Sequence, residues 1–156
     1  MFDWLKRKRR RNTDAEDRWS IATSEDDGRP IIFRIRSSRP SRAIPPEYPR
    51  LMAIQWKYVP ENDSGMPSNA DRERMDLLED LLDANLEEHR QAFLTVVVTG
   101  NGVREWQWYA RDDNETLRQL NEALAGHDKF PIDVFMDDDP EWSAYARFDA
   151  IASEKS

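Results

Sequence analysis

Phe93-Leu-Thr-Val-Val-Val-Thr99, Gly100-Asn-Gly102 and Val103-Arg-Glu-Trp-Gln-Trp-Tyr-Ala110 read together as one β-hairpin, and the rest of the chain arranges itself around it. The first arm is almost all β-branched or aromatic, which suits a pleated, buried surface. The turn residues tolerate positive φ, so the chain can reverse there within two or three positions. In the second arm Arg104, Trp106, Trp108 and Ala110 point one way, and Val103, Glu105, Gln107 and Tyr109 the other.

A helical pattern flanks the hairpin on each side. Upstream, Ser68-Asn-Ala-Asp71 fits a capped helix start, and Met75, Leu78, Leu82 and Leu86 repeat at helical spacing towards Arg90. The other face of that helix carries Glu73, Asp76, Glu79, Asp80, Asp83 and Glu87, which reads as an acidic solvent face rather than a metal site. Downstream, a cap at Asp112, Asp113 or Asn114 opens a helix with Leu117, Leu120 and Leu124 on its buried stripe, ended by Gly126.

A strand pattern lies outside each helix. Met52, Ile54, Trp56 and Tyr58 alternate with polar positions in Leu51–Tyr58, and Ile132, Val134 and Met136 share one face of the last clear strand. The order from Leu51 is strand, helix, strand, strand, helix, strand. That predicts an α+β fold of the ferredoxin-like, split βαβ kind, with both helices on one face of an antiparallel sheet. Two further short strands, Trp19–Thr23 and Pro30–Arg36, form an added N-terminal β-hairpin around Glu25-Asp-Asp-Gly28. Pro30 restricts the second of them to a strand start or an edge. Where this hairpin joins the sheet is left open.

Between Ser37 and Pro49 four prolines exclude a helix, and Arg34, Arg36, Arg39 and Arg42 cluster nearby. A phosphate-binding patch is one reading. A solvated loop that neutralises an acidic body is the preferred one. At the C-terminal side, Asp139 before Pro140 fits an N-cap followed by proline at the first helical position, with Trp142 and Tyr145 on one face. The domain organisation is then a basic disordered arm at 1–17, a single α+β domain at 18–150 and a frayed tail at 151–156.

The formal charge of −8 over 156 residues is unevenly distributed. Lys6, Arg7, Lys8, Arg9, Arg10 and Arg11 against Asp3 give the first eleven residues +5, which leaves −13 for the remainder. With Phe2 and Trp4 just before it, the basic block suits attachment to an anionic membrane surface, or to nucleic acid, as well as a simply solvated arm. The chain has no cysteine, which excludes disulfides and thiolate chemistry and fits a cytoplasmic location, peripheral at the inner membrane surface if the arm binds there. No apolar run approaches the roughly 20 residues of a membrane span.

Catalytic sets are missing. His89 and His127 have no nucleophile or oxyanion donors near them in sequence. The acidic run Asp137, Asp138, Asp139 and Glu141 supports only the alternative reading, a metal-assisted hydrolase, and lacks the spacing of a calcium loop. No cofactor is expected. The aromatic residues Trp56, Trp106, Trp108, Tyr109, Trp142 and Tyr145 are the candidate partner-binding set, because aromatics dominate binding hot spots and a wide aromatic sheet face can serve as a groove. An acidic body favours a basic protein partner over RNA.

The chain resembles an uncharacterised bacterial family, the domain of unknown function numbered six-nine-five. Trp19, Asp27-Gly28-Arg29-Pro30, Tyr48-Pro49, Trp56-Lys-Tyr58, Arg104-Glu-Trp106, Tyr109 and Asp139-Pro-Glu-Trp142-Ser-Ala-Tyr145 carry the resemblance, in order, from Trp19 to Tyr145. It implies no activity. A looser similarity, to the regulator of ribonuclease activity B, implies a regulatory and non-enzymatic module. The expectation is therefore a non-catalytic protein-binding or regulatory module of unknown partner, acting through an acidic body and an aromatic sheet face.

Overall fold

The computed structural model describes residues 18–155; the basic arm at 1–17 lies outside them. In chain order the elements are β1 (Trp19–Asp26), β2 (Arg29–Arg36), a single 3₁₀ turn (Pro45–Glu47), β3 (Arg50–Lys57), α1 (Asn69–Leu82) running into a π turn (Asp83–Glu87), β4 (Ala92–Gly100), β5 (Val103–Ala110), α2 (Asp113–Leu124), β6 (Ile132–Asp138) and α3 (Ser143–Lys155). The six strands form one antiparallel sheet in the order β1-β2-β4-β5-β3-β6. No described helix is long and apolar enough to cross a membrane.

The central hairpin forms as its residues dictate. Asn101 and Gly102 both take positive φ (50° and 80°), the backbone that matches the twist of a two-residue turn. β4 is interrupted by a register shift between Leu94 and Val96. Thr95 is the extra residue, and its hydroxyl donates to the Gln107 carbonyl at 3.0 Å. The bulge reverses the alternation, so Leu94 and Val97 face one core while Phe93 and Val96 face the other. That is how an unbroken apolar run can serve a strand buried on both sides.

On one face Met52, Ile54, Leu94, Trp106 and Trp108 pack against Met75, Leu78, Leu82 and Leu86 of α1 with its π turn, and against Leu120 of α2. Ser68 Oγ caps α1 by accepting from Asp71 N at 3.1 Å, and Asp112 caps α2 by accepting from Glu115 N at 2.9 Å. On the other face Ile35, Tyr48, Phe93 and Tyr109 pack against Trp142, Tyr145 and Ala152. The N-terminal hairpin extends the sheet, because β2 pairs with the outer strand β4 from Ile32↔Thr99 to Ile35↔Val96.

Three expectations are corrected. Ile151–Lys155 is helical, not a frayed tail, because Ala152 packs into the second core. Pro140 lies in a turn, and α3 begins only at Ser143. Asp139 caps it all the same, since its carboxylate accepts from Ser143 N at 2.9 Å and Ala144 N at 3.0 Å. Trp142 sits in the left-handed region (φ 57°) to let the chain turn into the helix. Its ring stacks on Tyr109 at 4.2 Å and its Nε1 donates to the Tyr48 carbonyl at 2.9 Å, which offsets a conformation that costs about 1–2 kcal/mol. Finally, the acidic row of α1 is only partly a solvent face: Glu79 and Asp83 are buried against the sheet.

Asp139 also accepts from the Tyr109 hydroxyl at 2.6 Å. Partial burial pushes its carboxyl up, but the bonds from Ala144, Tyr109 and Ser143 outweigh that and hold it below the ordinary carboxylate value. Its stabilisation is present above the unfolded-state value of about 3.9 and is lost as the pH falls through the lower native value. Asp139→Asn is expected to cost about 2 kcal/mol at neutral pH. The difference in urea midpoint from wild type should shrink below about pH 4; a constant difference down to strongly acid pH would sink this account.

Candidate functional site

The helices cover the sheet in a stagger. α1 and α2 lie over the β4-β5-β3-β6 end of one face, while α3 lies over β1, β2 and β4 on the other. Two diagonally opposite corners therefore stay open, and their chemistry is opposite.

The first corner is a cleft between the β1–β2 hairpin and α1. Cross-strand register places Trp19 beside Arg36 and Ile21 beside Arg34, all on the helix side. Arg34 and Arg36 are buried, which corrects the expectation of a solvated arginine cluster. Arg34 makes a two-pronged pair with Glu79, with Nη1 donating to Oε2 at 3.0 Å and Nη2 donating to Oε1. Glu79 also accepts from Trp106 Nε1 at 2.9 Å. Arg36 pairs with Glu87 at 2.9 Å and donates to the Leu94 carbonyl at 2.9 Å. The Trp19 ring lies 5.1 Å from the Arg34 guanidinium and 5.3 Å from that of Arg36. Forked pairs with extra hydrogen bonds are what buried charges need to be tolerated.

Outside this network the cleft opens to a cavity of about 490 Å³, walled by Ile21, Ile32, Met66 and Pro67 and entered by Arg72 and Arg104. Arg104 donates from Nε to Thr99 Oγ1 at 2.9 Å and its guanidinium lies 5.9 Å from the Trp106 ring. Burial and then the charge of Arg34 pull it down to about 10, so it is still a cation at neutral pH.

The second corner is flat and acidic. Two cross-strand rows, Gln107–Ala53–Phe135 and Glu105–Gln55–Asp133, run across β5, β3 and β6. Glu105 accepts from Gln55 Nε2 at 2.7 Å and from Gln107 Nε2 at 2.6 Å. Phe135 is 53% exposed, with Asp133 and Asp137 exposed beside it on β6.

The residues predicted to bind a partner do not form a surface. Trp56, Trp106, Trp108, Tyr109, Trp142 and Tyr145 are all between 0 and 8% exposed. They divide between the two cores because both faces of the central strands are covered where they stand. Nor do the acidic residues converge. Asp139 is engaged in capping, Asp138 lies 3.6 Å from Arg50 and Asp137 accepts from the Asp138 amide at 2.8 Å. Among the described residues no group of three or more His, Asp or Glu is placed to hold a metal ion. The arm residues Phe2, Trp4 and Lys6 through Arg11 lie outside the described residues.

Arg104 and Phe135, at the two open corners, are candidate positions that the sequence did not single out. For Phe135 a signal existed: Ile132, Val134 and Met136 share one face, which leaves an aromatic residue alone on the other.

The model of one family, described as a family of unknown function (DUF695), matches residues 17–148. No curated protein and no solved structure matches, and the looser similarity to the ribonuclease regulator is not among these findings.

Proposed function

The chain belongs to the family of unknown function DUF695, and from that footing we propose that it is a non-catalytic binding module that engages a basic protein segment on the open β5-β3-β6 face. The observation that carries this reading is Phe135, a half-exposed aromatic flanked on its own strand by the exposed Asp133 and Asp137, with Glu105 two strands away on the same face. Aromatic anchors supply most binding energy at interfaces, and surrounding carboxylates select a partner of opposite charge. The strand order β4-β5-β3-β6 with α1 and α2 on one face supports reading this part as a ferredoxin-like split βαβ unit, with β1–β2 added at its edge. The basic arm attaches the module to an anionic membrane surface or to nucleic acid, on the cytoplasmic side.

Capture from nuclease-treated lysate on the full chain, compared with Phe135→Ser and Asp133→Lys, tests this. Both positions are exposed, so each variant should keep its unfolding free energy within about 0.5 kcal/mol. A protein retained by wild type and lost from both variants supports the face as the interface. Retention of the same proteins by all three rejects it.

A further inference from the structure

We infer that the cleft between the β1–β2 hairpin and α1 is a binding site for a small monoanion with an apolar body, an aliphatic carboxylate, held by Arg104. This is independent of the protein-binding face, which lies on the opposite side of the sheet.

Arg104 is half-buried yet differs from the ion-paired arginines of the fold. Arg34, Arg36, Arg50, Arg111 and Arg118 each stand within 4 Å of a carboxylate. Arg104 forms no ion pair among the described residues, and its one hydrogen bond there uses Nε. Its outer nitrogens, the fork that matches a carboxylate, are left for whatever enters the cavity. Burial and then Arg34 weigh against its charge, Glu79 and Asp76 favour it, and an incoming anion adds to the favourable side.

The cavity has the size of small-molecule sites, which run about 300–1,000 Å³. Its walls are apolar, and Ile21 and Ile32 remain 56% and 37% exposed, as expected of side chains waiting for an apolar body. The neighbouring charges limit the guest to a single negative charge. Arg34, Arg72 and Arg104 line the cavity against Asp76, with Glu79 behind it, which leaves a local balance of one positive charge, and the chain beyond the arm carries a large net negative charge. A phosphate dianion or a nucleic acid strand exceeds that single positive balance and would meet the repulsion of the acidic body.

Titration calorimetry of the full chain with octanoate, 1-octanol and acetate tests the site. Octanoate is expected to bind, and 1-octanol, which has the same chain without the charge, to bind about 10–100-fold more weakly. Acetate, which has the charge without the chain, should give no heat. Arg104→Gln should lower octanoate affinity to that of octanol and leave octanol unchanged. Ile21→Asp, at an exposed position, provides a second variant that should fold and repel the carboxylate. No octanoate binding by the wild-type chain, equal affinity for octanoate and octanol, or octanoate binding unaffected by either substitution would overturn the assignment.

Discussion

Replacing Glu79 with alanine is expected to destabilise the fold by about 3–5 kcal/mol, because it takes the forked counter-ion from a buried cation. Glu79 is the counter-ion that Arg34 meets with both prongs of its guanidinium, and it also accepts the indole N–H of Trp106. Alanine takes the two-pronged acceptor from a buried charge and the acceptor from a buried donor. Against a total stability of about 5–15 kcal/mol, that removes a large share of the folded state's margin. The double variant Arg34→Met with Glu79→Leu removes both charges and should recover most of the loss, since an apolar pair of similar volume is often neutral or stabilising. Urea unfolding of the three proteins decides it. A Glu79→Ala loss below about 1 kcal/mol would mean that Arg34 finds water or another partner, and that the pair is not what fastens α1 to β2.

Trp108→Ala should cost a similar amount, about 3–5 kcal/mol, for a different reason. Trp108 is fully buried, and its cross-strand neighbours Met52 and Leu94 lie in the same core. Truncation opens a cavity in the middle of the sheet, where neighbours on both sides are held by their own ladders and cannot collapse into it. Its Nε1 has no hydrogen-bond partner among the described residues, and such a donor costs about 1–3 kcal/mol. Trp108→Phe therefore loses some packing and sheds that penalty, and is expected to lie within about 1 kcal/mol of wild type. Thermal and urea unfolding of the two variants check the contrast. If Trp108→Ala unfolds like wild type, the indole is not core, and its place in the candidate interface returns.

Much of this fold is legible in the sequence because its signals are local. Asn101-Gly102, Ser68 and Asp112 act within a few residues of themselves, and the apolar stripes of α1 and β3 need only their own period. What is not legible depends on which elements meet. The glutamates at 79 and 87 look like half of a solvated face until β2 is placed beside β4, which brings Arg34 and Arg36 under the helix. The aromatic residues could be assigned to strands but not to a covered or an open face, because coverage is set by where α3 lands. For the same reason neither open corner could be read in advance. The cleft combines β1, β2, β5 and α1, and the acidic face exists only because α3 stops over β4.

The strand order has a consequence for divisibility. β3 is paired on one side with β5 and on the other with β6, both downstream of it, while β2 awaits β4. Any cut of the chain between Arg36 and Ile132 therefore severs at least one ladder. The last helix lies against the first two strands, so the outermost pieces are tied as well. The stretch from β3 to β6 holds four paired strands and the buried residues of the core under α1 and α2, but cut free it loses Ile35, Tyr48, Trp142, Tyr145 and Ala152 from the second core and leaves that face of the sheet bare. Trimming from either side, swapping a part with a relative, or splitting the chain into two fragments each removes a partner that another segment depends on. The module is one indivisible unit of inheritance and of engineering, to be moved whole or not at all.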